Sequence, residues 1–265
     1  MLTGIGLGLR FKYIEDLQQN NHAVKWLELL ADHYHDINNP IIAKVQQLCA
    51  KFPCVLHAVN FSLASSGEIN QNYLSSIKAI VDLCNPLWVS DHLSFSSIGD
   101  IHLHELLPFA FTETMLQHIA TKIKIIQHTL KRPFLIENIS SYIRIKDSQM
   151  SEAQFIARLA QQADCGILLD VNNIVVSCHN HNESIEEYCA TIPFARVKQL
   201  HMAGAITKNN LLIDTHSRPI AADVMQLYRK IIEQHGYIPT CLEWDMDLPD
   251  FATISKEIEK LNGFI

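Results

Sequence analysis

The chain has 265 residues, a length typical of one large domain such as an α/β barrel. A net charge of −7 without a lysine and arginine stripe argues against nucleic-acid binding, and no apolar run reaches the roughly 20 residues that span a bilayer. The seven cysteines are scattered, odd in number and without a CxxC pair, which argues against a disulfide framework and, with no export signal at the N-terminus, predicts a cytoplasmic protein.

Short apolar runs alternate with helix-like segments along the chain. The runs that predict strands are Thr3–Leu9, Trp26–Ala31, Cys54–Asn60, Leu87–Phe95, Phe134–Ile139, Ile167–Asn173, Val197–Ala203 and Pro239–Trp244. The segments that predict helices are Tyr13–Asn21, one after Pro40, Ser75–Cys84, Thr112–Leu130, Ser151–Ala163, Ala221–His235 and Pro249–Leu261. A longer loop, Ser96–Pro108, is predicted after the fourth strand.

This alternation indicates a parallel sheet, because strands buried on both faces need helices on both sides. About eight such units favour closure into a TIM-type (β/α)8 barrel over an open doubly wound sheet. No GxGxxG or P-loop supports the open alternative. We therefore predict a single α/β barrel domain over residues 1–265.

Acidic or imidazole side chains stand at the ends of seven of these runs: Glu28, His57, His92, Glu137, Asp170, His201 and Glu243. The carboxyl ends of barrel strands share one mouth, where barrel enzymes carry their chemistry. A single polar residue at a strand end is more often structural than functional. Because all of them except Glu28 are expected to point toward one mouth, together they predict a metal site.

Further ligand candidates lie near these strand ends. Asp214 and His216 form an Asp-x-His clip in the loop after the seventh strand, and Asn172 follows Asp170. An extended backbone places the two clip residues on one face, and Asn172 offers a carbonyl oxygen or an orienting hydrogen bond. Imidazoles and carboxylates without a thiolate suit iron, manganese or zinc. The ligands exceed what one ion can use, so Glu137, central in the strand order, is predicted to bridge two ions.

Three His-x-His pairs occur as well: His33/His35, His102/His104 and His179/His181. We predict that the first two pairs lie in solvated loops. The third borders the mouth of the sixth strand and is predicted to lie near the substrate. Cys178, just before it, is expected in a polar loop.

Several longer motifs carry a family resemblance: IENISSY at 136–142, LLDVNNIVVS at 168–177 followed by His179-Asn180-His181, LHMAG at 200–204, IDTH at 213–216 and LEWD at 242–245. Together they resemble the multinuclear non-heme iron-dependent oxidative enzymes, the methanobactin biosynthesis protein B-like family, from Gly4 to the C-terminus. The resemblance implies a TIM-type barrel that holds two or three iron ions. It also implies dioxygen-dependent modification of cysteines in a ribosomally made precursor peptide, with a small partner protein that recognises the leader peptide.

The resemblance further implies a role for each ligand candidate. One iron would be held by His57, His92 and Glu137, which are also the implied catalytic residues. A second would be held by Glu137, Asp170, His201 and Glu243, and a third by Asn172, Asp214 and His216. The chain departs from the family pattern in reading His57-Ala58-Val59-Asn60 instead of His-Gly-Val-Gly, in Ala205 after Gly204, and in Ser217-Arg218 after the Asp-x-His clip. These departures concern substrate contacts and the third ion.

Two other functions fit the same ligand pattern. Xylose-isomerase-type barrels, which include metal-dependent sugar isomerases and epimerases, also gather His, Asp and Glu at strand ends. Turnover of a sugar without oxygen, with manganese or zinc, would indicate this class. The other alternative is a metal-binding scaffold without activity. The departure from the family pattern at Ala205 keeps this alternative open.

Overall fold

The computed structural model describes residues 2–19, 23–34, 39–98 and 101–265. In chain order its strands are β1 (Ile5–Gly8), β2 (Trp26–Leu30), β3 (Cys54–His57), β4 (Val89–His92), β5 (Phe95–Ile98), β6 (Ile101–Leu107), β7 (Phe134–Glu137), β8 (Gly166–Asp170), β9 (Val197–Met202), β10 (Ile206–Lys208), β11 (Leu211–Ile213) and β12 (Thr240–Leu242). Eight of them close into a parallel barrel in the order β1-β2-β3-β4-β7-β8-β9-β12. The predicted barrel class is confirmed.

Helices surround the barrel. They are α1 (Ile14–Gln18), α2 (Ile41–Lys51), α3 (Gln71–Cys84), α4 (Glu113–Leu130), α5 (Glu152–Ala163), α6 (Val171–His181), α7 (Ile185–Thr191), α8 (Ala222–His235) and α9 (Phe251–Asn262). Their ends follow local chemistry: Ser151 and Gln154 form the capping box that begins α5. Among the described residues, no helix has the length and apolar character needed to cross a bilayer.

The barrel interior is layered because every second strand residue points inward. At the end where the strands begin, Trp26, Val55 and Cys241 pack into a separate apolar cluster with Leu2. A Cβ on Gly6 would lie 2.4 Å from the Trp26 ring, so only glycine leaves room for this indole. This apolar plug closes one end of the barrel, and the polar inward positions follow it toward the other end.

The structure corrects several predicted boundaries. The sixth predicted strand, Ile167–Asn173, corresponds to β8. It ends at Asp170 instead of Asn173, and helix α6 begins directly after it. Cys178 is consequently buried on α6 instead of lying in a polar loop. The predicted loop Ser96–Pro108 contains most of the antiparallel hairpin β5–β6, and hairpin β10–β11 and helix α7 were not predicted.

One further boundary differs at the start of a helix. Helix α3 begins at Gln71 instead of Ser75, because the Asn70 side chain accepts hydrogen bonds from the first free backbone N–H groups. The predicted first helix corresponds to α1, and its predicted last residues, Asn20 and Asn21, lie outside the described residues, as does His35.

All seven cysteines are free thiols.

Candidate metal centre

The carboxyl ends of the barrel strands bring the predicted ligands together. His92 is the register partner of Glu137 on the neighbouring strand, and Asp170 is the register partner of His201. Glu243 follows the last residue of β12 by one position. Parallel pairing therefore gathers these side chains at one mouth of the barrel.

The first ligand group consists of His57, His92 and Glu137, whose ligand atoms all lie within 4.8 Å of one another. The Nε2 atoms of both imidazoles are 3.5 Å from Glu137 Oε2. Ser90 Oγ lies 2.8 Å from the other ring nitrogen of His57, which fixes the ring with Nε2 toward Glu137. The backbone thus presents two imidazole nitrogens to one carboxylate oxygen.

The second ligand group shares Glu137 with the first. It adds Asp170, His201 and Glu243, and its ligand atoms also lie within 4.8 Å of one another. His201 Nδ1 is 2.9 Å from Glu137 Oε1 and 3.0 Å from Glu243 Oε2. Glu137 therefore directs one oxygen toward each group, which is the geometry that a bridging carboxylate requires.

Asp170 owes its orientation to the start of helix α6. Its Oδ1 atom accepts a hydrogen bond of 2.6 Å from the backbone N–H of Asn173 as the helix N-cap. The Asn138 side chain both donates to the Asp170 carbonyl and accepts from its backbone N–H, at 3.0 and 2.8 Å. One carboxylate oxygen is thereby used for capping, and Oδ2 is left for the site.

The third predicted group lies above the second. Asp214 Oδ1 accepts from Asn172 Nδ2 at 3.0 Å and lies 2.8 Å from His216 Nε2. The other ring nitrogen of His216 is 3.1 Å from Glu243 Oε2. His216 has a φ of 44°, a left-handed conformation that costs a non-glycine residue roughly 1–3 kcal/mol and is concentrated at functional sites.

Buried polar atoms without partners test whether these residues fit a cation. Among the described residues, His57 Nε2, Glu137 Oε2, Asp170 Oδ2 and Asn172 Oδ1 are buried and have no hydrogen-bond partner. Such atoms are rare in folded proteins, since leaving one unsatisfied costs about 1–3 kcal/mol. All four face the ligand groups and are typical ligand atoms for a transition metal ion. The donor set fits metal ions.

The site also separates the protonation states of its residues. Burial lowers the pKa of His57 to about 3, despite the neighbouring Glu137 carboxylate. Burial acts in the same direction on His92, but Glu137 and Asp91 outweigh it and raise its pKa to about 9. Burial raises the pKa of Asp170 to about 8. Without a cation, His57 is therefore neutral while His92 and Asp170 retain protons near neutral pH.

We expect metal binding to release protons and to strengthen as the pH rises. A metal ion must displace the protons of His92 and Asp170, so affinity should increase as the pH rises through the neutral range. His201 and His216 add to this effect, because the neighbouring carboxylates outweigh burial and raise the pKa of both imidazoles. Calorimetric titration in buffers of different ionisation enthalpy should show more than about one proton released per chain near pH 7. Binding without proton release would contradict the assignment of these residues as ligands.

A cavity of about 760 Å³ opens above the ligand groups. His57, His92, His216 and Glu243 form part of its floor, and His104 on β6 lines its wall. His104 is exposed, as predicted, but it lies on a strand instead of in a loop, and His33, also exposed, lines the same cavity. His179 and His181 were predicted near the substrate, but they contact Asn210 O and Ser141 Oγ, each at 3.0 Å, and are not among the described residues that line the cavity.

Arg10 and Asp245 belong to the site but were not predicted from the sequence. Arg10 is buried, forms an ion pair with Asp245 and lies 3.7 Å from Glu243 Oε1. Asp245 follows Glu243 by two positions, the spacing that returns a side chain to the same face of an extended segment. That spacing is the signal that identifies Asp245, whereas no local pattern indicates Arg10.

Comparison with known proteins relates this geometry to a family. Residues 4–265 match the family described as RiPP precursor modification enzyme MbnB/TglH/ChrH. A UPF0276 protein of Acaryochloris marina is 34% identical over 264 residues, which cover 100% of this chain and 95% of the relative. A UPF0276 protein of Vibrio vulnificus is 37% identical over 265 residues, which cover 98% and 91%. The resemblance drawn from the motifs is confirmed.

Solved structures with the same barrel include sugar epimerases. The 3-keto-D-glucoside 4-epimerase YcjR from E. coli aligns with a TM-score of 0.63 at 10% identity, covering 98% of this chain and 99% of that one. A D-tagatose 3-epimerase-like protein aligns with a TM-score of 0.63 at 12% identity, covering 98% and 97%. At these identities the likeness concerns the fold alone.

Proposed function

The chain belongs to the family of RiPP precursor modification enzymes MbnB/TglH/ChrH, and on this premise we propose that it oxidatively modifies cysteine in a ribosomally made precursor peptide, using iron and dioxygen. The observation that carries the proposal is the position of Glu137. One of its oxygens lies 3.5 Å from His57 and His92, and the other lies 2.9 Å from His201. A carboxylate shared in this way supports a centre with more than one ion.

We assign the ligands according to these contacts. His57, His92 and Glu137 would hold one iron, and Glu137 with Asp170, His201 and Glu243 would hold the second. Asn172, Asp214 and His216 would hold a third, more labile ion. When bound, the iron would supply dioxygen activation and would lower the pKa of a substrate thiol. His57, His92 and Glu137 are proposed as the catalytic residues because His57 and His92 line the open cavity and Glu137 lies directly beneath them, 3.5 Å from both imidazoles.

The proposed ligands combine burial with one exposed approach from the cavity. Glu137, Asp170 and His201 are buried, so their charges act at low dielectric and are not screened by water. His92 keeps 14% of its side-chain surface exposed toward the cavity, which leaves an approach for a substrate side chain. A volume of about 760 Å³ accommodates several residues of an extended peptide around one cysteine.

The proposal extends to the substrate's delivery. A single barrel domain over residues 1–265 would bind the modified segment in the cavity. A small partner protein would recognise the leader segment of the same precursor. The description of the family as precursor modification enzymes supports the peptide substrate, and the partner protein follows from the resemblance of the motifs.

Iron content and peptide oxidation together test the proposal. Purified anaerobically with sufficient iron, the protein should contain two to three iron ions per chain, because its ligands exceed what one octahedral ion uses. Mixed with a short cysteine-bearing precursor peptide and a leader-recognising partner protein, both to be sought among the neighbouring genes, it should change the peptide's mass only when dioxygen is supplied. Active protein with stoichiometric zinc and no iron requirement would exclude this function.

The same preparation distinguishes the alternatives. A sugar isomerase or epimerase would convert a ketose without oxygen and would accept manganese or zinc. An inactive scaffold would bind metal and leave both peptide and sugar unchanged. The departures at Ala205 and Arg218 would be examined by restoring the family's residue types at these positions and measuring peptide oxidation.

A further inference from the structure

Glu28 was predicted at the end of an apolar run, but it lies in the middle of β2, and none of the proposed ligand groups uses it. It is only 3% exposed and points into the barrel. Its Oε1 atom is 2.8 Å from His201 Nε2, and its Oε2 atom accepts a hydrogen bond of 2.5 Å from Gln199 Nε2. A buried carboxylate therefore contacts His201 on the side of the ring opposite to the one that faces Glu137.

Trp88 determines which end of the Gln199 amide faces Glu28. Its indole N–H donates to Gln199 Oε1 at 2.8 Å. An indole nitrogen can only donate, so the amide oxygen of Gln199 must face Trp88 and its NH₂ group must face Glu28. The NH₂ group lies 3.0 Å from His201 Nε2 but cannot accept a hydrogen bond. The acceptor for a proton on His201 Nε2 is therefore Glu28.

The other nitrogen of the same ring faces the proposed metal site. His201 Nδ1 lies 2.9 Å from Glu137 Oε1 and 3.0 Å from Glu243 Oε2. A neutral imidazole has one proton, and the hydrogen bond at one nitrogen decides which nitrogen can bind a metal. With the proton on Nε2 toward Glu28, the lone pair on Nδ1 is directed to the ion.

We propose that Glu28 is a positioning residue that holds the His201 proton on Nε2, fixes the ring and so presents Nδ1 to the metal. This inference rests on the proposed function insofar as it treats His201 as a ligand. Gln199 and Trp88 complete a hydrogen-bonded chain that runs from the site toward the closed end of the barrel. Carboxylates that hold a ligating histidine in this way strengthen metal binding by about 10- to 100-fold.

Glu28, His201 and Cys241 do not need to be interpreted as a separate metal site, although their ligand atoms lie within 4.8 Å of one another. The Gln199 NH₂ group already occupies hydrogen-bonding positions beside Glu28 and His201. Hydrogen bonds account for the contacts of this layer.

Metal titration of Glu28→Gln tests the inference. With iron(II) and a competing chelator under anaerobic conditions, the variant should bind the ion at His201 about 10- to 100-fold more weakly. Glu152→Gln is the matched control, because Glu152 is a buried glutamate on α5 that contacts Tyr188 outside the ligand groups. Its metal affinity should equal that of the unmodified protein. Equal affinity of Glu28→Gln and the unmodified protein would overturn the inference.

Nitrogen NMR of labelled histidine in the zinc-loaded protein provides a readout that a purely structural role would not change. The unmodified protein should show His201 bound through Nδ1 with its proton on Nε2, and Glu28→Gln should lose this single state. A proton on Nδ1 in the unmodified protein would also overturn the inference. If Glu28→Gln does not fold, Trp88→Phe is the second variant, because it frees the Gln199 amide. It should weaken binding of the ion at His201 by a smaller factor, and unchanged affinity would then contradict the positioning role of Glu28.

These results remain separable from the proposed function. Zinc-loaded protein reports the His201 tautomer whether or not iron and dioxygen support peptide oxidation. A protein with the expected tautomer but no oxidation would contradict the function alone. A protein that oxidises the peptide but binds metal equally well with Gln at position 28 would contradict the role of Glu28 alone.

Discussion

Replacing Glu137 by Gln is expected to weaken both paired ions together and to reduce activity by about a thousandfold or more. Each carboxylate oxygen faces a different ligand group, and an amide cannot replace the second anionic oxygen. A thousandfold loss corresponds to about 4 kcal/mol of transition-state stabilisation, a magnitude typical of a metal centre that has lost its charge balance. Iron analysis, Mössbauer spectroscopy and peptide oxidation measure the effect.

His216→Ala is the matched comparison for this variant. His216 lies 2.8 Å from Asp214 Oδ1, 3.1 Å from Glu243 Oε2 and 3.7 Å from Asp170 Oδ2, and it belongs to the proposed third ligand group. Its removal should cost mainly the third ion and leave a spin-coupled pair. Equal iron loss in both variants, or a coupled pair that persists in Glu137→Gln, would contradict the bridging role.

Removing the metal should destabilise the fold substantially. The ligands come from separate strands and meet only in the folded barrel, so ions bind the native state preferentially. At free metal concentrations of about 1,000 times the dissociation constant, linkage gives about 4 kcal/mol. For a chain of 265 residues this corresponds to a decrease of about 7 °C in melting temperature after chelation, measured by calorimetry.

Glu137→Gln also serves as the control for chelation. If the stabilisation comes from the paired ions, the chelator should change the melting temperature of this variant much less than that of the unmodified protein. An unchanged melting temperature of the unmodified protein, with metal loss confirmed by elemental analysis, would contradict a buried site.

The ligands at strand ends were predictable because their signal is local. Each stands at the end of an apolar run, and the parallel barrel then brings the ends of the runs to one mouth. The structure places five of these residues at or next to the last position of neighbouring strands: His57, His92, Glu137, Asp170 and His201. Sequence periodicity shows which face of a strand a residue occupies, but not how deep in the barrel it lies. It therefore could not distinguish Glu28 from the ligands.

The remaining features depend on contacts that no local pattern contains. Arg10 and Asp245 are 235 positions apart in the chain and form an ion pair only in the closed barrel. Helix α6 begins at Val171 because Asp170 caps it, although its Val and Ile residues have a high strand propensity. Here N-capping and packing outweigh intrinsic preference, which explains why the predicted strand extended too far.

We propose that Glu137 bridges two metal ions. Anomalous diffraction at the iron absorption edge, from crystals grown anaerobically with iron(II), tests it most directly. We expect two strong peaks on opposite sides of the Glu137 carboxylate, one near His57 and His92 and the other near Asp170 and His201. A single peak, or two peaks that do not share Glu137, would contradict the bridged centre.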